Sequence, residues 1–169
     1  RAIAIFDKLR LPDVPGQPCF RDAGGDEQRR FVAAIFGSYD PIANVRYITE
    51  FFKLVPKKNG KTTEGGAILV DALIMNRRPN AEFIYIGPTQ EVSYTAFSQS
   101  TGMIAADPVL RAKFHVTPHL KRIEYLPTGA YAKIKSFDPA VVTGAKPAGV
   151  LFDEIHVVAS APEADRVIG

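Results

Sequence analysis

Gly60, Lys61 and Thr62 stand together at the end of the stretch VPKKNGKT, and residues of these types can bind phosphate. In a loop that leads into a helix, backbone N–H groups point at phosphate oxygens and the lysine adds a mobile positive charge. The threonine hydroxyl is a ligand for Mg²⁺. The usual pattern, G-x-x-x-x-G-K-[ST], begins with a glycine, whereas this chain has Val55 there. Because Pro56 favours extended backbone at Val55, we expect a phosphate-binding loop that the chain enters along a different path.

A lysine-rich surface turn would look similar, but a second feature favours the phosphate site. Asp153 and Glu154 directly follow the apolar run GVLF, which has the character of a buried strand. Asp153 can hold Mg²⁺ through water, while Glu154 can orient and deprotonate an attacking water. The alternative is an acidic strand end that is merely exposed to solvent. Two such acids in a chain that also contains Gly-Lys-Thr predict a site that binds and hydrolyses a nucleotide.

Five further residues are candidates for nucleotide contacts. Lys57 can neutralise the charge that builds on the γ-phosphate in the transition state, unless it simply faces water. Lys58, Asn59 and Thr63 flank the loop glycine and the lysine–threonine pair, so we expect them to line the bound nucleotide. The amide of Gln28 can both donate to and accept from an adenine edge, although an ordinary helix-surface role is an open alternative.

Composition is consistent with a globular domain that is not embedded in a membrane. The chain has 169 residues, of which 46% are hydrophobic, and a formal net charge of +3 with a pI near 9.0. No apolar run approaches the roughly 18 residues that a membrane span requires. Cys19 is the single cysteine, which excludes an internal disulfide and fits a reducing cytoplasm. The mild positive charge permits a polyanionic partner.

Proline and glycine interrupt residues 1–25, which we interpret as a loop-rich lead-in with at most one short helix. The body of the domain is expected to occupy residues 26–169. Helical spacing and end signals predict helices at DEQRRFVAAIFG, at TEGGAILVDALIMN and at TQEVSYTAFSQSTGMIA. β-Branched and aromatic runs predict strands at RYITEFFKLV, at AEFIYIGP and at AGVLFDE.

This alternation of strands and helices predicts a three-layer α/β domain with a mainly parallel central sheet. The alternating runs LKRIEYL and GAYAKIKSF, separated by Pro127-Thr128-Gly129, predict a β-hairpin insertion.

With these motifs in order, residues 28–158 resemble the ATPase domain of the large terminase subunit of tailed bacteriophages. Four features carry the resemblance: the glutamine of DEQRRFVAAIFG, the loop VPKKNGKT, the strand and helix at IYIGPTQE, and VLFDEIH. The family often lacks the first loop glycine and has a basic residue early in the loop. The resemblance implies a RecA/ASCE-like P-loop ATPase fold that uses ATP and Mg²⁺.

The resemblance also implies residue roles. Gln28 would contact adenine, and Lys57 would match the basic loop residue of the family. Lys61 and Thr62 would bind phosphate and Mg²⁺, with Asp153 as the second magnesium residue and Glu154 serving hydrolysis.

Partners and location follow from the same resemblance. The family threads double-stranded DNA through the portal protein of a procapsid, as a ring of about five copies with a small terminase subunit. This takes place in the cytoplasm of the infected bacterium, and the motor is not part of the mature virion. The chain has the look of a piece of a longer protein, without the metal-binding carboxylates of the nuclease domain. Nuclease activity is therefore not expected of it.

Two other classes of protein share some of these features. A DExH-type nucleic-acid helicase has counterparts of GKT, GPTQE and DEIH, and it would also use an adenine-reading glutamine. Such helicases more often have small residues where Lys57 and Lys58 stand. A binding or scaffold module with a degenerate phosphate loop would bind nucleotide weakly and would not hydrolyse it.

Overall fold

The computed structural model describes residues 1–56, 58–138 and 146–155. The helices in this part of the chain are α1 (Ala2–Phe6), α2 (Phe20–Ala23), α3 (Asp26–Gly37), α4 (Lys61–Met75), α5 (Gln90–Ala105), α6 (Pro108–Lys113) and a 3₁₀ turn (Pro118–Leu120). The strands are β1 (Tyr39–Asp40), β2 (Val45–Arg46), β3 (Glu82–Gly87), β4 (Phe114–Thr117), β5 (Arg122–Tyr125), β6 (Ala130–Ser136) and β7 (Gly149–Phe152).

Five of the strands form one mixed sheet in the order β4-β5-β6-β3-β7. β3 lies in the middle of its parallel part, paired in parallel with β6 on one side and with β7 on the other. β4, β5 and β6 pair antiparallel. The sheet is therefore mixed rather than mainly parallel. Because β3 and β7 are parallel, the loops that follow them leave the same edge of the sheet.

The predicted hairpin is present, but it is an integral part of the sheet. Its second strand, β6, pairs with β5 and also with β3, so it joins the hairpin to the parallel strands. The turn depends on Gly129, which has φ +68° and donates its N–H to the Tyr125 carbonyl at 2.9 Å. An added Cβ at this position would collide with the side chain of Asn80. Glycine is favoured here mainly by the left-handed backbone, and a larger residue would also displace the Asn80 side chain.

The predicted strand over 46–55 is wrong. Only Val45–Arg46 is a strand, and it pairs with Tyr39–Asp40 in a separate two-stranded sheet. Both edges of β3 are taken by β6 and β7, and no described strand pairs with the rest of the segment. Phe52 and Leu54 point outward, with 72% and 84% of their surface exposed. β-propensity mostly reflects packing against a partner strand, so by itself it does not produce a strand.

Two further predictions are corrected. Residues 1–25 contain two short helices, α1 and α2, rather than at most one. Strand β7 is present but is not buried as predicted, because it is the last strand in the described sheet and pairs there only with β3.

The other predicted helices and strands are confirmed. Helix α3 has the predicted bounds, and its first turn is capped by the Gln28 side chain, whose oxygen accepts the Gly25 N–H at 3.0 Å. Helix α4 begins two positions earlier than predicted, at Lys61. The Thr89 hydroxyl caps α5 by accepting the Val92 N–H. Strands β3 and β7 lie within the predicted runs.

One hydrophobic core joins the sheet to the helices, and α4 and α5 pack against each other beside it. The first 25 residues contribute to the same core, since Phe6, Leu9 and Phe20 are almost completely buried. Phe6 and Phe20 contact each other with ring centroids 4.4 Å apart. The boundary placed after residue 25 stays a prediction. In the part of the chain that the structure describes, no helix has the length and apolar character to cross a membrane.

Candidate functional site

The two predicted motifs meet where the amino end of α4 approaches the carboxyl end of β7. Gly60 is the residue before α4 and has left-handed backbone, with φ +67°. Lys58 is left-handed as well, with φ +68°, which is uncommon for a residue with a side chain. These two residues turn the loop sharply into the helix. The turn leaves the first N–H groups of α4 at the loop, the position from which a helix amino terminus can bind an anion.

A hydrogen bond joins the motifs directly. The Thr62 hydroxyl donates to Asp153 Oδ2 at 2.7 Å. Asp153 is buried, with 6% of its surface exposed. Its backbone N–H donates to the Ile86 carbonyl at 2.9 Å, which extends the β3–β7 pairing by one residue. The carboxylate is therefore held by the sheet and directed at the first turn of α4.

Lys61 and Glu154 form a second link across the site. The Lys61 ammonium lies 3.7 Å from Glu154 Oε1, and both side chains are about a quarter exposed, at 26% and 29%. Glu154 has φ +53°, a left-handed conformation that costs energy for a residue with a Cβ. Backbone strain of this kind is common at functional sites, because the surrounding fold holds the residue in place.

A cavity of about 260 Å³ opens between these elements. Its described lining residues are Lys58, Gly60, Lys61, Thr62, Thr63 and Glu154. All six were predicted from the sequence as site residues. A larger, shallow cleft of about 330 Å³ lies elsewhere, at the end of β6, and it is lined by none of the predicted site residues.

Four predicted site residues are not among the described residues that line this cavity, and the buried Asp153 is one of them. Asn59 lies in the loop and is exposed, but it is not among the lining residues. Gln28 is half-buried on α3, where its side-chain oxygen caps the helix, and it does not line the cavity either. Lys57 lies outside the described residues, as does His156 of the DEIH stretch. The predicted roles of Asn59, Gln28 and Lys57 stay predictions, and no chemistry is predicted for His156.

Tyr85 was not among the residues predicted for the site. It contacts Asp153 from the neighbouring strand β3. Its hydroxyl donates to Asp153 Oδ2 at 2.9 Å, the same oxygen that accepts from Thr62. Burial raises the pKa of the Tyr85 phenol well above its usual value, and the negative charge of Asp153 raises it further. In the sequence Tyr85 is one apolar position of a buried strand. Its role depends on β7 lying beside β3, which no local pattern shows.

A largely buried ion pair joins the segment before the loop to α4. The Lys53 ammonium donates to both carboxylate oxygens of Glu64, at 2.8 and 2.7 Å, and lies 3.0 Å from Glu27 Oε1. Glu64 is on α4 and Glu27 is on α3, so Lys53 ties the segment before the loop to both helices. No local sequence pattern indicates this cluster, because its three members come from separate elements.

The available oxygen ligands suit a hard cation. The Thr62 hydroxyl and the Asp153 carboxylate are the ligand types that Mg²⁺ prefers, and Mg²⁺ usually takes only one or two protein ligands together with phosphate and water. Within residues 1–56, 58–138 and 146–155, no group of three or more His, Cys, Asp or Glu side chains could hold a metal ion. The Thr62 hydroxyl and the Asp153 carboxylate thus fit a Mg²⁺ ion that arrives with a phosphate ligand.

No protein-family model matches the chain, and no curated protein matches it. The structure is similar to the crystal structure of the HK97 bacteriophage large terminase, with a TM-score of 0.75 and 24% sequence identity. The similarity covers 91% of this chain and 30% of that chain, so this chain spans less than a third of that terminase. The predicted resemblance to large terminase subunits is thereby confirmed for the fold, a mixed α/β fold with a five-stranded mixed sheet.

Proposed function

We propose that this chain is the ATP-hydrolysing motor domain of a viral large terminase subunit, which powers translocation of double-stranded DNA into the procapsid. The observation that carries the proposal is that Gly60, Lys61, Thr62 and Glu154 line one cavity, with Asp153 hydrogen-bonded to Thr62 beside it. The fold similarity to a bacteriophage large terminase supports the choice of motor.

In this proposal the fold is a three-layer P-loop ATPase domain of the RecA/ASCE-like kind. Two features support this: a helix, α4, that starts directly at the loop glycine, and a central strand, β3, parallel to the strand that carries the acids. Parallel strands of this kind commonly present ligand-binding loops at their carboxyl ends.

Phosphate binding falls to the loop and the first turn of α4. The left-handed backbone at Gly60 lets N–H groups face the cavity, and the phosphate oxygens accept from them. Lys61 contributes a mobile positive charge. Because its ammonium is only 3.7 Å from Glu154, a triphosphate would compete with that carboxylate for Lys61. Nucleotide binding would then release Glu154 for a second task.

Thr62 and Asp153 would hold the Mg²⁺ that accompanies the nucleotide. A hydroxyl can donate its proton to Asp153 and direct a lone pair at a cation at the same time, so the observed hydrogen bond is compatible with metal binding. A cation held there would neutralise charge on the β- and γ-phosphates. Asp153 acts through water, since it is buried behind Thr62.

Glu154 is the general base of the proposed reaction. It lines the cavity and, once Lys61 has turned to the phosphates, it can accept a proton from the attacking water. The surrounding fold holds its left-handed backbone in place and so keeps the carboxylate at the cavity.

The remaining predicted residues complete the proposed nucleotide site. Lys58 and Thr63 line the cavity, and Asn59 belongs to the same loop. Lys57 is proposed to stabilise the γ-phosphate charge, and Gln28 to contact adenine.

The proposed partners are those of a packaging motor. They are double-stranded DNA, the portal protein of the procapsid, a small terminase subunit and further copies of the chain in a ring of about five. The proposed location is the cytoplasm of the infected bacterium, outside the mature virion.

Two substitutions test the hydrolysis step. Glu154→Gln should keep ATP binding and abolish turnover, because the amide cannot accept the proton. Lys61→Ala should weaken ATP binding. The matched controls are Glu91→Gln and Lys8→Ala, exposed residues outside the cavity, which should leave both quantities unchanged. Phosphate release and binding of a fluorescent ATP analogue should be measured over a range of protein concentrations, since a neighbouring subunit can supply a catalytic arginine.

Unchanged hydrolysis in both site variants would refute the enzyme and favour a binding module. A second assay separates the two kinds of motor. ATP-driven displacement of a third strand from duplex DNA, without separation of the duplex, supports packaging. Unwinding of the duplex would favour the DExH-type helicase.

A further inference from the structure

Tyr85 is a buried residue that contacts the proposed magnesium site without lining the cavity. It lies on β3, its surface is completely buried, and its hydroxyl donates to Asp153 Oδ2 at 2.9 Å. A buried hydroxyl is unfavourable unless it is hydrogen-bonded, and a phenylalanine would fill nearly the same space. The hydroxyl is therefore the feature of Tyr85 that requires an explanation.

The backbone of Tyr85 is fixed from both sides. It pairs with Ile134 of β6 and with Leu151 of β7, in the middle of the parallel part of the sheet. Thr62, the other donor to the same oxygen, lies in the first turn of α4 and lines the cavity. Thr62 is therefore the donor that a ligand in the cavity can reach, whereas Tyr85 is the donor that the sheet holds in place.

Helix α4 leaves room for this phenol. Gly65 is buried in the helix, and a Cβ built on it would lie 3.0 Å from Tyr85 Cε2 and 3.1 Å from the hydroxyl oxygen. A glycine inside a helix is less favourable than an alanine, because it loses more backbone freedom on folding. Gly65 thus allows the close approach by which the hydroxyl reaches Asp153.

We propose that Tyr85 is a positioning residue for Asp153, and that Gly65 supplies the space it needs. By holding Oδ2 from the sheet side, the phenol keeps the carboxylate aimed at Mg²⁺ while Thr62 adjusts to the arriving nucleotide. This inference rests on the proposed function, because it assigns Asp153 to the metal. Outer groups that orient metal-binding carboxylates commonly change metal affinity by about 10- to 100-fold.

The test is the Mg²⁺ dependence of nucleotide binding in Tyr85→Phe. A fluorescent ATP analogue is titrated with EDTA present and then at increasing Mg²⁺. We expect unchanged nucleotide binding without metal. The Mg²⁺ requirement, meaning the Mg²⁺ concentration that gives half-maximal nucleotide binding, should rise by about tenfold. Tyr125→Phe is the control, since Tyr125 is buried on β5 of the same sheet and packs on Phe114. It should behave as the wild type.

Gly65→Ala should shift the Mg²⁺ requirement in the same direction, because the added methyl group displaces the phenol. A second measurement needs no metal. Thermal unfolding of Tyr85→Phe, Asp153→Asn and the double variant should give non-additive shifts if the two residues depend on each other.

Each outcome has a distinct meaning. Non-additive unfolding with a wild-type Mg²⁺ requirement in Tyr85→Phe would make Tyr85 a structural residue only and overturn the inference. Additive unfolding would overturn it as well. If the wild type itself shows no Mg²⁺-dependent nucleotide binding, the proposed function fails first, and the positioning role fails with it.

Discussion

Thr62 and Asp153 are 91 positions apart in the chain, yet the Thr62 hydroxyl donates a 2.7 Å hydrogen bond to the Asp153 carboxylate. One residue lies in the first turn of α4 and the other directly after β7. The bond therefore ties the amino end of a helix to the carboxyl end of a strand, where a phosphate and its cation can be bound together.

Removing the Thr62 hydroxyl should separate metal-dependent from metal-independent binding. Thr62→Val keeps the shape but loses both the bond to Asp153 and the lone pair for Mg²⁺. We expect the Mg²⁺ concentration needed for nucleotide binding to rise by at least about tenfold. Thr62→Ser retains the hydroxyl and should stay close to the wild type. Equal Mg²⁺ dependence in the valine and serine variants would contradict the metal role of Thr62.

Asp71 should make stability depend on pH. It is completely buried in α4, and neither carboxylate oxygen has a hydrogen-bond partner among the described residues. Burial raises its pKa from 3.8 to about 8. Between these values the folded state holds a proton that the unfolded state has lost, so stability falls as pH rises from about 4 to 8 and levels off above.

Asp71→Asn should remove this slope, since the amide does not titrate. At about 1.4 kcal/mol per pKa unit, the wild type loses at most about 5 kcal/mol of unfolding free energy between pH 4 and pH 8, and Asp71→Asn should not show this loss. Urea unfolding at several pH values measures the free energy of unfolding of both proteins. Asp26→Asn, at an exposed position, is the control and should keep the wild-type slope. A wild-type slope in Asp71→Asn would show that other groups cause the dependence.

Lys53→Met should be strongly destabilising. The Lys53 and Glu64 side chains are only 14% and 4% exposed, and the ammonium lies 2.7 Å from the carboxylate. Removing one partner of a buried ion pair leaves the other charge uncompensated, at a cost of about 3–5 kcal/mol. Replacing Glu64 as well, in Lys53→Met/Glu64→Leu, should recover most of the loss. Chemical denaturation measures all three proteins.

The control for Lys53 is an ion pair with a similar N–O distance but greater exposure to solvent. Lys133 and Glu82 are 2.8 Å apart, with 36% and 18% of their side chains exposed. Lys133→Met should cost only about 0–1 kcal/mol, because solvent screens such pairs. If the two methionine variants lose similar stability, burial does not set the strength of the Lys53 cluster.

Gly129→Ala should destabilise the hairpin turn. The position has φ +68°, and the added methyl group would meet the Asn80 side chain. Since the Asn80 amide can turn away, most of the cost comes from the left-handed backbone, about 1–2 kcal/mol. Gly37→Ala is the control, because in the described part of the chain no packed atom lies within 4 Å of a Cβ added at that position. Equal melting temperatures for the two variants would argue against the strain.

Local sequence was enough to predict most elements and the residue types of the site. The order Gly60, Lys61, Thr62 predicts the start of a helix, and the apolar run before Asp153 predicts a strand. These signals are short in range, since backbone geometry, capping and burial period act over a few residues. The cavity accordingly contains Lys58, Lys61, Thr63 and others that the pattern named.

Only the tertiary structure decided which elements become neighbours. The segment 46–55 has strand propensity, but no described strand pairs with it beyond Arg46, so it stays largely outside the sheets. Tyr85 reaches Asp153 because β7 lies beside β3, and Lys53 meets Glu64 because the segment folds back on α4. Strand pairing and buried polar contacts join residues far apart in the chain, and their energies depend on the partner. A single sequence names the groups that can do the chemistry, and packing determines which of them meet.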